Sequence, residues 1–151
     1  QAMISVLRIM LRESMREDKS GVYGVRVAGS AFPTPKPEYG ITISFMCAPE
    51  NVDELIQTAL NDIKTLQSAG PSAENIGKVQ ETQRRSREKS LKENNFWARQ
   101  LESVYKNKMN PVQLLEYDKR IEGLKGAEVQ EAAKKYFNMK TYIKLVLMPE
   151  D

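Results

Sequence analysis

The spacing of apolar positions changes from a helical period to a strand period within the first third of the chain. Residues 3–17 place apolar side chains on most sides of a helix, which predicts a helix buried between layers. Residues 22–31 predict a strand, in which Gly24 and Gly29 indicate a bulge or a close backbone approach. Residues 39–47 alternate apolar and polar side chains, which predicts a half-buried strand antiparallel to the first.

Helical spacing dominates the next eighty residues or so, before a final strand pattern. Asn51, Ser72 and Asn110 each precede helix-forming sequence and are predicted N-caps. An apolar stripe over residues 129–137 predicts a late helix, and TYIKLVLM at 141–148 predicts a closing strand. Strands and helices grouped in this order predict an α+β fold, with helices packed on one face of a mainly antiparallel sheet.

The length of the chain fits one domain, so residues 1–151 are predicted to form a single unit. The sequence enters its first helical pattern almost at once, and three strands make a thin sheet. We therefore expect the domain to be truncated at its N-terminus, with further strands upstream. No run of about 18 apolar residues is present, so no membrane span is predicted.

The composition excludes several kinds of function but does not identify one. The 23 basic and 20 acidic residues are interspersed and give a net charge of +3, which does not favour a nucleic-acid partner. The chain has no histidine. General-base catalysis, zinc catalysis and most nucleophile systems rely on imidazole, so a self-contained hydrolase is not expected. The single cysteine, Cys47, is predicted to be a small core residue.

A basic run at residues 84–89 has two interpretations. Glu81 and Glu88 share its helical faces, which favours an ordinary solvated surface with local charge neutralisation. Arg87 falls among small and polar residues instead, and this stripe is also compatible with the wall of a wet cavity. The aromatic pair Phe96 and Trp97 is expected to anchor helix packing.

Several motifs together resemble a known family. The stretch LRESMREDKSGVYGVRV is similar to the C-terminal-half signature of the insulinase/pitrilysin family of zinc peptidases. CAPENVDELI, GPSAENIGKV, KENNFW, DKRIEGL and VQEAAKKYFN follow in the order of that family. The resemblance is greatest to bacterial zinc-protease members and covers nearly the whole chain, and it implies a partial half of the insulinase/mitochondrial-processing-peptidase-like metallohydrolase fold.

The resemblance implies one half of a two-part enzyme. In the family, an N-terminal half carries an inverted zinc motif, H-x-x-E-H with a distant glutamate, and closes with a metal-free C-terminal half around a chamber. The C-terminal half supplies an arginine and a tyrosine near the scissile bond, which correspond to Arg16 and Tyr23. The implied cofactor is Zn²⁺ in the other half, with none in this chain. The implied partners are that zinc-bearing half, in the same chain or another subunit, and a peptide substrate.

Both assigned residues are hydrogen-bond donors suited to this chemistry. When metal-bound hydroxide attacks a peptide carbonyl, negative charge grows on oxygen, and a guanidinium or a phenol hydroxyl stabilises it. The alternative is that Arg16 is a surface cation favoured at a helix C-terminus and Tyr23 an ordinary strand aromatic.

Two other functions stay open beside the peptidase half. The first is a non-catalytic partner or scaffold subunit of an insulinase-family complex, and the second is an unrelated α+β binding module. Localisation is not specified by the residues themselves, and the resemblance to bacterial proteins implies the periplasm or cell envelope.

Overall fold

The computed structural model describes residues 1–18, 22, 24–32 and 35–149. Within them, six α-helices and one two-stranded sheet are joined by loops and two 3-10 turns. The elements are α1 (Ala2–Asp18), β1 (Val25–Phe32), β2 (Glu38–Phe45), a 3-10 turn (Pro49–Asn51), α2 (Val52–Ser68), α3 (Ala73–Ser90), α4 (Asn94–Lys106), a second 3-10 turn (Pro111–Leu114), α5 (Tyr117–Glu122) and α6 (Gly126–Tyr136).

The chain divides into two compact units. Unit 1 comprises Gln1–Asn75 and Gly126–Asp151, and unit 2 comprises Ile76–Lys125. Unit 1 holds the sheet with α1, α2 and α6, whereas unit 2 is helical. The assignment of residues 1–151 to a single truncated domain stays a prediction.

The core of unit 1 is built around α1, which contacts β1, α2 and α6. Its buried side chains recur at three- and four-residue spacing, as one face of a helix requires. They are Met3, Val6, Leu7, Leu11 and Met15. Buried residues of the neighbouring elements complete this core: Val25 and Val27 on β1, Leu55, Ala59, Ile63 and Leu66 on α2, and Val129 and Ala133 on α6.

The sheet is an antiparallel pair, as the alternating pattern predicts. Val25 pairs with Phe45 and Phe32 with Glu38, with an unbroken register between them. Gly29 marks a close approach of β1 to α1, since a Cβ there would lie 2.9 Å from Cγ1 of Ile4. The glycine therefore allows the helix and strand backbones to pack closely.

Two glutamine side chains join the C-terminal ends of α2 and α6. Gln67 donates to the carbonyl oxygens of Ala133 (3.2 Å) and Phe137 (2.9 Å) at the end of α6. Gln130 donates in return to the carbonyls of Gln67 (3.2 Å) and Ser68 (2.7 Å) at the end of α2. Each helix thus supplies a side-chain donor to backbone carbonyls at the end of the other, where free acceptor capacity is concentrated.

The predicted closing strand at residues 141–148 is wrong for this structure. Residues 142–149 form no regular element, and most of their apolar side chains are strongly exposed. Leu145 and Leu147 are 90% and 98% exposed, while Lys144 is tied to Asp53 by a 2.8 Å ion pair. A strand needs a neighbour for its backbone groups, and no described residue pairs with this segment.

The predicted caps have different outcomes. Ser72 accepts a hydrogen bond from the backbone N–H of Asn75 (3.1 Å), so this cap is confirmed. Asn110 also caps, accepting from the N–H of Val112 (3.0 Å), but it begins a 3-10 turn. Asn51 makes no side-chain cap bond, so that prediction is wrong. It already has a helical backbone conformation at the end of a 3-10 turn, which removes the extended geometry that an N-cap needs.

Unit 2 has a small apolar core. Its buried aliphatic residues are Ile76, Val79, Val104 and Ile121. Gln80 donates to the carbonyls of Ile121 and Glu122, both at 3.1 Å, and so satisfies the end of α5. Side-chain hydrogen bonds from α3 to the end of α5 therefore help to hold these two helices of unit 2 together.

Candidate functional site

Arg16 lies in the last turn of α1 and its side chain is exposed. The preceding residue, Met15, is fully buried, which fixes the orientation of this turn against the core of unit 1. A cation at this position is favoured by the partial negative charge of a helix C-terminus. The structure therefore presents the Arg16 guanidinium to solvent from a rigid element.

Tyr23, the second predicted site residue, lies outside the described residues. In sequence it stands two positions before Val25, where β1 begins. The pairing of Arg16 with Tyr23 stays a prediction.

The two-stranded sheet has one apolar face and one polar face. Val25, Val27 and Gly29 face α1, because the first two are buried and the third approaches Ile4. The alternate positions therefore face away from α1, and the polar ones among them are exposed: Arg26, Ser30, Thr42 and Ser44. This face offers hydroxyl groups and a guanidinium, which are suited to hydrogen bonding with a polypeptide backbone.

Metal-binding side chains are not grouped together in the part of the chain that the structure describes. Among the described residues, no three His, Cys, Asp or Glu side chains form a group that could hold one. The sequence has no histidine to serve as a zinc ligand. Cys47 is half-buried just after the end of β2, and it lies outside the strand in which it was expected.

Arg87 in unit 2 is buried at 8% exposure. Its guanidinium carbon lies 4.9 Å from the ring centroid of Phe96 and 5.0 Å from that of Tyr117. Its Nη2 donates to the carbonyl of Leu114 at 2.5 Å, and its Nε is buried without a partner. The interpretation of Arg87 as part of a wet cavity wall is therefore wrong, because aromatic rings surround it.

The remainder of the basic run is a solvated surface, as predicted. Arg84 and Arg85 both pair with Glu81, at 2.6 Å and 2.5 Å, and their side chains are 57% and 76% exposed. Hydrogen bonds from these two guanidinium groups lower the pKa of the Glu81 carboxyl from its ordinary value of 4.5. A groove of about 500 Å³ beside them is lined by Gly77, Gln80, Glu81, Arg84, Ile121 and Glu122.

The aromatic pair packs between helices, as expected. The rings of Phe96 and Trp97 meet edge to face, with centroids 5.6 Å apart. Trp97 Nε1 donates to the carbonyl of Leu91 at 3.0 Å, which ties α4 to the end of the preceding helix. Sequence reasoning missed Tyr117 as the second ring on Arg87, because the helical wheel of α3 contains no information on α5.

Comparisons with known proteins show sequence similarity to a zinc protease. A zinc protease PQQL-like protein of Arabidopsis thaliana is 33% identical over 69 residues, which is 46% of this chain and 7% of that protein. No protein-family model matches. The chain therefore spans a small part of the length of the curated relative it matches.

Two solved structures have the same fold. The periplasmic protease PqqL of Escherichia coli is similar over 89% of this chain and 15% of its own, with a TM-score of 0.70 and 25% identity. A peptidase M16 inactive domain from Pseudomonas fluorescens is similar over 91% of this chain and 34% of its own, with a TM-score of 0.73 and 16% identity. The α+β fold and the resemblance to a C-terminal domain of an insulinase-family peptidase are confirmed.

Proposed function

We propose that this chain, which is similar to a non-catalytic C-terminal domain of an insulinase-family peptidase, forms one wall of the substrate chamber of a zinc endopeptidase. In this proposal, Arg16 and Tyr23 hold the peptide near the scissile bond, and another half of the enzyme holds the zinc. The observation that carries the proposal is the likeness to PqqL over 89% of the chain.

The position of Arg16 supports a role in substrate binding. The side chain is exposed at the end of a helix whose opposite face is packed into the core. The helix fixes the backbone of Arg16, so the guanidinium reaches toward a substrate carbonyl from a defined point, and a charged donor there stabilises developing negative charge. Tyr23 adds a hydroxyl donor, and its contribution follows from the resemblance.

The polar face of the sheet supports the proposal that this chain forms a chamber wall. Side chains such as Arg26, Thr42 and Ser44 are exposed there, on the side of the sheet that does not pack against α1. A wall that meets an extended peptide needs donors and acceptors for the peptide backbone, and this face provides both.

The zinc chemistry of the proposed enzyme belongs to the other half. Zinc there would supply the activated water that attacks the carbonyl. The residues of this chain would bind and orient the peptide. PqqL is named a periplasmic protease, so we propose the periplasm or cell envelope as the location. None of the helices in the described ranges is long and apolar enough to cross a bilayer.

The experiment compares the purified chain by itself with the chain mixed with the zinc-bearing half. We expect no peptide hydrolysis by the 151-residue chain with added Zn²⁺. Hydrolysis should appear on mixing and should disappear with a chelator, because the zinc ligands lie in the other half. Zinc-dependent hydrolysis by the chain by itself would overturn the proposal. Binding without hydrolysis, by a partner with an intact zinc motif, would favour the scaffold alternative.

A further inference from the structure

Residues 141–148, which we call the C-terminal segment, carry large apolar side chains whose exposure alternates. Ile143, Leu145 and Leu147 are 85%, 90% and 98% exposed. Val146, between the last two, is 44% exposed. A period of two is typical of a β-strand, in which successive side chains point to opposite faces. A continuous row of apolar side chains in solvent is typical of a surface that another element covers.

The C-terminal segment runs alongside α2 in the opposite direction. Just before the segment, the carbonyl of Phe137 accepts a hydrogen bond from Gln67 in the last turn of α2 (2.9 Å). Lys144 forms a 2.8 Å ion pair with Asp53 in the first turn of α2. These two α2 positions are separated by a helix length of about 21 Å, and seven extended residues span about 24 Å. Covering most of the length of α2 in so few residues requires an extended chain.

The C-terminal segment and β2 run in the same direction. The ring of Tyr136, at the end of α6, meets the ring of Tyr39 near the start of β2 edge to face, with centroids 5.1 Å apart. We call this the tyrosine end of unit 1. Both β2 and the C-terminal segment lead away from the tyrosine end. In the described ranges β2 pairs with β1 alone, so the other edge of β2 is unpaired.

The side of the sheet that faces α1 is incompletely covered at β2. Val25 and Val27 of β1 are buried on this side, but their partners Phe45 and Ile43 on β2 are only half-buried. Helix α1 therefore covers β1 better than it covers β2. A further strand beside β2 would place neighbouring side chains against these two residues.

The direction of α1 specifies which segment fits beside β2. Ile4 lies against Gly29, and Arg8 donates to the carbonyl oxygen of Val27 (2.6 Å), so α1 runs antiparallel to β1 and begins at the tyrosine end. A strand that led directly into α1 would arrive at this end, and so would run antiparallel to β2 and to the C-terminal segment. The two solved structures with this fold contain much more polypeptide, since this chain matches 15% and 34% of them.

We propose that a β-strand from the polypeptide before residue 1 lies between β2 and the C-terminal segment, antiparallel to both. The C-terminal segment then becomes the outer strand of a four-stranded sheet, and the free backbone groups of both edges gain partners. Apolar side chains on one face of the added strand meet Ile43 and Phe45. This proposal concerns how the sheet is completed and does not depend on the proposed function, so turnover neither supports nor contradicts it.

The first test is amide hydrogen exchange in the whole protein that carries this chain, followed by mass spectrometry. A free peptide with the sequence of residues 141–148 is the matched reference. We expect the amides of the C-terminal segment to exchange at least about 100-fold more slowly in the protein than in the peptide, because strand pairing protects them. Equal exchange rates would overturn the proposal.

The second test identifies the added strand by photo-cross-linking in the same whole protein. The cross-linker p-benzoylphenylalanine replaces Glu38, Ser44 or Leu145, all of which are exposed. We expect all three to label one short stretch before residue 1. The residue labelled from Glu38 should lie later in that stretch than the residue labelled from Ser44, because the added strand is antiparallel to β2. Gln57, exposed on α2, is the control position and should not label this stretch.

Three cross-linking results would overturn the proposal. The first is labelling between copies in a mixture of isotopically light and heavy protein, which would make this edge an interface between molecules. The second is direct labelling of the C-terminal segment from Ser44, which would leave no room for a strand between them. The third is the reverse order of the residues labelled from Glu38 and Ser44, which would make the added strand parallel to β2.

Discussion

At the scale of single residues, the arginines of α3 show how differently one residue type acts within four positions. Arg84 and Arg85 lie in solvent and pair with Glu81. Arg87 is buried between two aromatic rings and bonds a backbone carbonyl. The helical wheel correctly predicts the first pair, because their partners lie on the same helix. It fails for Arg87, because Tyr117 and Leu114 are brought there by the fold.

Arg87 is expected to be a main stabilising residue of unit 2. Arg87→Ala removes two cation–π contacts and a buried hydrogen bond, so we expect a loss of about 2 kcal/mol in the free energy of unfolding. Arg87→Lys should recover less than half of it, because an ammonium lacks the planar group that stacks on both rings. Denaturant unfolding followed by Trp97 fluorescence measures both. Arg85→Ala, at an exposed position, is the matched control and should leave the midpoint nearly unchanged. A midpoint for Arg87→Ala equal to that of the control would contradict this account.

Glu81 gives a prediction on pH. Its pKa is lowered in the folded chain by hydrogen bonds from Arg84 and Arg85. Its contribution to stability is therefore present above the ordinary carboxyl pKa and is lost as pH falls through the lowered folded value. The side chain is exposed, so the effect on unfolding should be small. Carboxyl NMR titration should show the Glu81 pKa rising toward 4.5 when both arginines become Gln, and an unchanged pKa would contradict the assigned cause.

At the scale of elements, the period of apolar residues correctly predicts the helices and strands whose packing partners lie nearby in sequence. The existence of α1, the antiparallel pair β1–β2 and the late helix α6 follows from local patterns, whereas β1 begins at Val25, three residues later than predicted. The strand predicted at 141–148 does not form, because a strand requires a neighbour that local pattern does not supply. The reciprocal glutamine bonds between α2 and α6 also escaped prediction, since they join residues more than sixty positions apart.

The two caps provide a matched pair for measurement. Ser72→Ala removes the acceptor for the N–H of Asn75, which is itself buried, so we expect a loss of about 1 kcal/mol. Asn51→Ala removes no cap bond and should change stability by less than about 0.5 kcal/mol. Thermal or denaturant unfolding of both variants gives the comparison. Equal losses would show that the hydrogen bond at Ser72 is not what stabilises the start of α3.

At the scale of the whole molecule, the chain combines two units with different charge and different surfaces. Unit 1 carries the sheet, Arg16 and a polar sheet face, whereas unit 2 carries a small apolar core and the buried Arg87. The absence of histidine from the sequence is explained if the catalytic metal belongs to another half of the enzyme. The resemblance to C-terminal halves of insulinase-family peptidases implies this arrangement, which stays a proposal, and the likeness to PqqL supports the resemblance itself.

The central claim is that Arg16 acts on the substrate, and turnover of the whole enzyme that carries this chain tests it most directly. Arg12 is the control, since it is exposed one turn earlier on the same helix. We predict that Arg16→Ala lowers kcat by about 10²–10³-fold, as the loss of a transition-state donor does, while Arg12→Ala stays close to the unmodified enzyme. Unmodified turnover in Arg16→Ala, or an equal loss in both variants, would contradict the claim.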